Sequence, residues 1–207
     1  MRGSAPSFGI TTSIEVKTFA APPSVTVFRY DWNNLDAADA ANGIAAFQTF
    51  VQSDDVPSHF GGEINLLKST APGTVSFELL GGWYGPESEL AGVLFPLLAR
   101  LPQNPQVNLT SGTYLDSVVY LSGGSLNTTQ PDRNDTFYVK SLMTPQSSPM
   151  STEAITAFIN YLANEGQGST LVSFDPWWQI ISRNDSNACY PELVCSSGAI
   201  WREKLSN

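Results

Sequence analysis

The sequence predicts an α+β fold, an antiparallel sheet with helices packed on one face. Three observations carry that expectation. Short segments place apolar residues at every second position, the mark of half-buried strands. Three other segments place them at spacings of three and four, the mark of amphipathic helices. Hairpin-type turns join successive strands, which favours antiparallel pairing.

Taken in order, Ile10, Thr12, Ile14 and Val16 alternate with Thr11, Ser13, Glu15 and Lys17, predicting a first strand. Pro22-Pro23 interrupts it, and the composition change there marks a domain boundary. Val25 to Tyr30 begins a second strand. Asn33-Asn34 offer N-cap side chains for a helix over about 35–52, with Ile44, Phe47 and Val51 on one face. Residues 63–67 and 75–80 alternate as strands around a Pro72-Gly73 turn. Gly85-Pro86 opens a second helix, where Leu90, Val93, Leu94, Leu97 and Leu98 fit the helical template. A polar loop leads to a strand at 137–140. Ser151 then caps a third helix with Ile155, Phe158, Ile159 and Leu162 on its face, and Gly166 ends it. Residues 171–175 form the last strand.

The composition narrows the function. Of the 207 residues, 42% are hydrophobic and 14% charged, so a sizeable core is possible and disorder is not the default. A formal net charge of −9, with only 10 scattered Lys and Arg, argues against nucleic acid or a polybasic membrane surface. No apolar run reaches the roughly 20 residues of a membrane span. Met1-Arg2-Gly3-Ser4 shows no signal-peptide hydrophobic region. Sequons at Asn108, Asn127, Asn134 and Asn184 nevertheless point to a secreted, glycosylated protein. Cys189 and Cys195 are the only cysteines and are spaced for a local disulfide. His59 is the only histidine, reads as an exposed loop residue, and leaves no metal site or two-histidine mechanism to consider.

Strand alternation suggests where a ligand would sit. Glu63 and Asn65 share a face, as do Tyr138 and Lys140, and Ser173 and Asp175, each opposite an apolar pair. If helices cover the apolar side, the other side offers carboxylates, an amide, a phenol and a hydroxyl to a hydroxyl-rich ligand such as a sugar. Trp83, Tyr84, Trp177 and Trp178 lie close enough in sequence to stack on sugar rings. A polar face turned only to water gives the same pattern, and no residue pair stands out as a glycosidase dyad.

The N-terminal run Arg2-Gly3-Ser4-Ala5-Pro6-Ser7-Phe8-Gly9-Ile10-Thr11-Thr12-Ser13, ending in Lys17-Thr18-Phe19, resembles the segment that closes the FAD-binding domain of berberine-bridge-enzyme-like and oligosaccharide oxidases, flavoproteins of the vanillyl-alcohol-oxidase type. Tyr114-Leu115-Asp116-Ser117, the run 137–142, and Phe174-Asp175 through Arg183 resemble that family's substrate domain in the same order. The resemblance spans residues 2–183. It implies that Ser7, Gly9 and Ile10 touch FAD, Gly9 allowing close backbone approach, and it agrees with alternation that Tyr138, Ser173 and Asp175 face substrate, to which alternation alone adds Glu63. It also implies a remnant of the FAD domain at 1–22 with a terminal strand, a substrate-binding domain at 23–183 and a divergent tail at 184–207.

The expected protein is therefore a fragment of a secreted FAD-dependent oxidoreductase, truncated at both ends, that oxidises a sugar, oligosaccharide or other alcohol with O2 as acceptor. It would be inactive as this chain alone. The family's flavin-attaching residues would precede residue 2, and the tail after Arg183 does not match the strand that brings the family's tyrosine base, so no catalytic base is assigned. The alternatives are a non-catalytic carbohydrate-binding module and a non-functional truncated gene product.

Overall fold

The computed structural model describes residues 20–126, 137–144, 147–166, 170–176 and 197–204, with isolated positions 10, 12, 13, 15, 18 and 129. Among these residues the strands are β1 (Val25–Asp36), β2 (Phe60–Lys68), β3 (Thr74–Trp83), β4 (Gln106–Gly112), β5 (Phe137–Met143), β6 (Thr170–Pro176) and β7 (Ser197–Lys204). The helices are α1 (Ala37–Val51), α2 (Glu87–Leu98), α3 (Tyr114–Leu121) and α4 (Thr152–Glu165). The strands form one sheet in the order β4-β1-β3-β2-β6-β7-β5, with every pairing antiparallel. No helix among the described residues is long and apolar enough to cross a membrane.

Alternation divides this sheet into two faces. One carries Phe28, Ile64, Leu66, Val75, Phe77, Leu79, Val172 and Phe174, which meet Ile44, Phe47 and Phe50 of α1, Leu90, Leu94 and Leu97 of α2, and Ile155, Ile159 and Leu162 of α4. Each large side chain fully buried there contributes about 1.5–3 kcal/mol. Aromatic contacts tie the layers: Phe28 stacks on Phe60 at 5.7 Å between ring centroids, and Trp32 meets Phe77 edge-on at 5.5 Å. The Trp32 indole donates to the Pro102 carbonyl at 2.8 Å, which removes the cost of burying an unpaired N–H.

The helix ends follow capping chemistry. Ser151 accepts from the Ala154 amide, and Gly166 ends α4, both as the sequence predicts. At α1 the cap is instead Asp36, whose carboxylate accepts from the Asp39 amide at 2.8 Å. Asn33-Asn34 belong to β1, at a break in register between Trp32 and Leu35 where Asn34 takes φ 55°. An asparagine tolerates that left-handed backbone, so the same residue type served a bulge rather than a cap. Pro86 occupies the N-cap of α2, one step before the expected first helical position.

Three elements were not expected from the sequence. β4 and α3 lie in what reads as polar loop, because β4 is exposed along nearly its whole length and shows no buried periodicity. α3 is short and announced mainly by a capping box between Thr113 and Asp116. β7, within the stretch read as a divergent tail, is inserted between β6 and β5. The strand expected at 10–17 includes described positions 10, 12, 13 and 15, and none of these is in a ladder; its other residues lie outside the described set, as do Cys189 and Cys195.

Where β2 and β3 lie side by side, Gly61 pairs with Gly82 and Gly62 with Gly81. The Phe28 ring fits over the Gly81–Gly62 pair: a Cβ on Gly81 would stand 2.2 Å from the Gly61 carbonyl oxygen and 2.4 Å from Phe28 Cζ. On the other face, a Cβ on Gly82 would meet only the half-buried Tyr84 ring, at 3.3 Å. Gly81→Ala is therefore expected to lower stability by about 2–4 kcal/mol and Gly82→Ala by less than about 1 kcal/mol, read from urea unfolding. Equal losses at the two positions would refute the account of Phe28 seated on glycine.

Candidate functional site

The face away from α1, α2 and α4 carries a row of polar side chains running across four strands. Register places Asp31 of β1 opposite Glu78 of β3, Glu78 opposite Asn65 of β2, and Asn65 opposite Ser173 of β6. Directly opposed residues point to the same face, so these four are set side by side at about 4.8 Å per strand. Arg29 lies two residues before Asp31 and stands on that face too.

The row is one connected network. Arg29 Nε donates to both Asp31 carboxylate oxygens, at 2.9 and 3.1 Å, while its Nη2 pairs with Glu78 Oε2 at 2.8 Å. The Asn65 amide nitrogen donates to Glu63 Oε1 at 2.9 Å and to Glu78 Oε1 at 3.3 Å. The Ser173 hydroxyl donates to the Asn65 carbonyl oxygen. Asn65 is thus the junction: one amide holds two carboxylates on its nitrogen and a hydroxyl on its oxygen. A depression of about 320 Å³ opens here, lined by Arg29, Asp31, Asn65, Ser76 and Glu78 among others.

Burial and charge oppose each other at Glu78. Loss of solvent raises its pKa, and the Arg29 guanidinium and the Asn65 amide only partly reverse that rise. The Arg29 pKa is raised in turn, chiefly by its hydrogen bond to Asp31. Such a surface offers carboxylate acceptors beside a fixed cation and an amide, a donor–acceptor mixture suited to vicinal hydroxyl groups.

An aromatic flank adjoins the row. Tyr84 lies over the Gly61–Gly82 pair on this face, and its ring sits 6.4 Å from that of Tyr114 of α3. Burial raises the Tyr84 pKa, so the phenol stays neutral. Trp83, by contrast, points into the core, 1% exposed, with its indole donating to the Pro86 carbonyl at 2.8 Å; it is not available for stacking on a ligand. Trp177 and Trp178 lie outside the described residues.

Of the residues singled out from the sequence, Glu63, Ser173 and Asp175 fall on this face. Ser173 and Glu63 are joined through Asn65. Tyr138 sits in β5 opposite Glu203, which is itself opposite Thr170; this row lies three residues, an odd step, from the Ser173–Ile200–Ser141 row, so register does not align Tyr138 with Ser173 as strand alternation predicts. Ser7 and Gly9 lie outside the described residues, while Ile10 is 95% exposed. Asn108 is exposed on β4, and Asn127, Asn134 and Asn184 lie outside the described set. His59 is an exposed loop residue whose ring meets Trp83 at 6.0 Å. Arg29, Asp31 and Glu78 were missed, although Arg29-Tyr30-Asp31-Trp32 and Ser76-Phe77-Glu78-Leu79 alternate as plainly as the strands that were used.

No family model matches the chain. Curated relatives do. A chitooligosaccharide oxidase of Gibberella zeae is 26% identical over 182 residues, 86% of this chain and 34% of its own length. A xylooligosaccharide oxidase of Thermothelomyces thermophilus is 29% identical over 181 residues, 84% of this chain and 34% of its own length. The chain thus spans about a third of the length of the curated relatives it matches. Among solved structures, a chitooligosaccharide oxidase superposes with a TM-score of 0.74 at 21% identity, over 91% of this chain and 40% of that one. A carbohydrate oxidase of Microdochium nivale, solved with a substrate analogue, gives 0.72 at 22% identity over the same shares. The BBE-like 1 protein of Physcomitrella patens gives 0.72 at 20%, again over 91% and 40%. In sequence the chain is similar to the two oligosaccharide oxidases, and it shares its fold with the carbohydrate oxidase and the BBE-like 1 protein.

Proposed function

We propose that this chain supplies the substrate-facing sheet of an exported FAD-dependent oxidase that oxidises a sugar or oligosaccharide with O2 as acceptor, and that it is a fragment without turnover of its own. The observation that carries the reading is the Arg29–Glu78–Asn65–Ser173 network on the face free of α1, α2 and α4. The names of the two oligosaccharide oxidases support the substrate class, and the fraction of their length spanned supports the fragment. The sequons support export.

Ser7, Gly9 and Ile10 are the positions assigned to contact FAD. Ile10, the described residue among them, is exposed. FAD held there would supply the hydride acceptor for oxidation of the alcohol carbon, with O2 as the final acceptor. The residues of this chain bind and orient the sugar. Glu63, Glu78 and Asp175 accept from its hydroxyls, Arg29 and Asn65 donate to its ring or hydroxyl oxygens, and Tyr84 with Tyr114 walls one side.

Two outcomes test this. The purified chain is expected to lack a flavin absorbance band and to yield no peroxide with chito- or xylooligosaccharides; tight FAD with peroxide would overturn the fragment reading. It is expected to retain weak oligosaccharide binding by NMR titration, lowered about tenfold by Asn65→Ala, which costs at least one buried hydrogen-bond junction. Unchanged binding in that variant would sink the polar-face assignment.

The Glu78 shift sets a pH dependence. Its raised pKa means that the folded chain holds this proton at pH values where the unfolded chain has lost it. Stability therefore falls as pH rises from the ordinary glutamate range through the folded value. Melting temperatures measured between about pH 4 and pH 7 should show a smaller decline in Glu78→Gln than in the parent chain. A steeper decline in the variant would mean that the ion pair with Arg29, rather than burial, governs the carboxyl.

A further inference from the structure

We propose that Asn108 carries an N-linked glycan and that this glycan guards the open edge of the sheet. β4 stands at one end of the strand order, so among the described residues its outer backbone N–H and C=O groups have no neighbouring strand. It pairs with β1 through seven consecutive positions without a bulge, leaving a straight edge. Its sequence, Gln-Val-Asn-Leu-Thr-Ser-Gly, has no charged residue and no proline. Val107 and Leu109 are 53% and 52% exposed. Straight, uncharged, apolar edges recruit strands from other molecules, and lysine, proline or a bulge ordinarily blocks them. β4 has none of these devices.

What β4 has instead is a sequon at its centre. Asn108 is exposed, and the Thr110 hydroxyl donates to its amide oxygen at 3.2 Å, leaving the amide nitrogen without a protein partner among the described residues. In the modification, the Asn108 amide nitrogen forms a bond to the anomeric carbon of a lipid-linked oligosaccharide pyrophosphate. The bond from that carbon to the pyrophosphate oxygen breaks, the lipid pyrophosphate leaves, and the amide gives up one proton; no oxidant or reductant is needed. Asn108 lies directly opposite Arg29, so the glycan would stand at the outer margin of the same face, one strand spacing from Arg29 and four, about 19 Å, from the β6 end of the row. A hydrated oligosaccharide at this position excludes a second strand from the β4 edge by bulk.

The inference rests on the export reading, and the test separates the two by delivering the full chain through a yeast secretory pathway with a host leader. Peptide mass mapping is expected to find Asn108 occupied in the parent chain and in Thr110→Ser, and empty in Thr110→Ala. After trimming or loss of the glycan, size-exclusion chromatography with light scattering is expected to show concentration-dependent association. Asn108→Gln should associate in the same way, whereas Asn108→Lys, also unglycosylated, should remain monomeric because the charge replaces the glycan as an edge guard. An empty Asn108 beside an occupied sequon elsewhere in the same molecules would overturn the site. Equal monomer fractions for the parent chain, Asn108→Gln and Asn108→Lys would overturn the guarding role. Near-ultraviolet circular dichroism matching the parent chain establishes that each variant is folded.

Discussion

The register among β1, β3 and β2 is the constraint on which the rest of the structure depends, and a block of four glycines holds it. Gly61, Gly62, Gly81 and Gly82 lie opposite one another in two pairs, and each pair accepts an aromatic ring on one face of the sheet. Phe28 fills the helix side and stacks on Phe60; Tyr84 covers the other side. A slip of one residue would exchange the faces, putting Phe77 and Leu79 into solvent and Glu78 beneath the helices. Burying an unpaired carboxylate and exposing two large apolar groups are both costly, so ring seating and hydrophobic burial select the same register.

The polar network follows from that register rather than from any local motif. Asn65 and Ser173 are 108 positions apart in the sequence, yet pairing sets them in adjacent strands. Two carboxylates, Glu63 and Glu78, approach the same amide, and their mutual repulsion is offset by Arg29 on one side and shared donation from Asn65 on the other. The result is a surface already arranged before any ligand arrives, which reduces the ordering cost of binding a polyol. Glu78 stays partly desolvated in this arrangement, which is why burial outweighs the ion pair in setting its pKa.

The core helices were legible because their faces are buried and periodic: Leu90, Leu94 and Leu97, and Ile155, Ile159 and Leu162, mark their own orientation. The central strands were legible for the same reason. β4 was not, since an edge strand exposed on both faces lacks the alternation by which strands are recognised. β7 is defined by its place between β6 and β5, a long-range pairing that no local pattern announces. The site was half legible. Alternation brought Glu63, Ser173 and Asp175 to one face, but strand order and register were needed to add Arg29 and Glu78 and to set Tyr138 an odd step, three residues, from the Ser173 row. Trp83 and Tyr84, adjacent in sequence, went to opposite faces, and only the latter reached the site.

The two faces thus carry different burdens. The helix side supplies stability through dense apolar contact, which allows the other side to hold partly desolvated charges that contribute little to folding on their own. That division leaves the β4 margin as a weak point: the strand is exposed along nearly its whole length, and Ser111, bonded to Thr26 and Glu87, ties it to the rest. A neutral, straight outer strand is open to pairing with other chains, and the exposed Asn108 amide stands on that strand, so an edge in want of protection and a sequon coincide there.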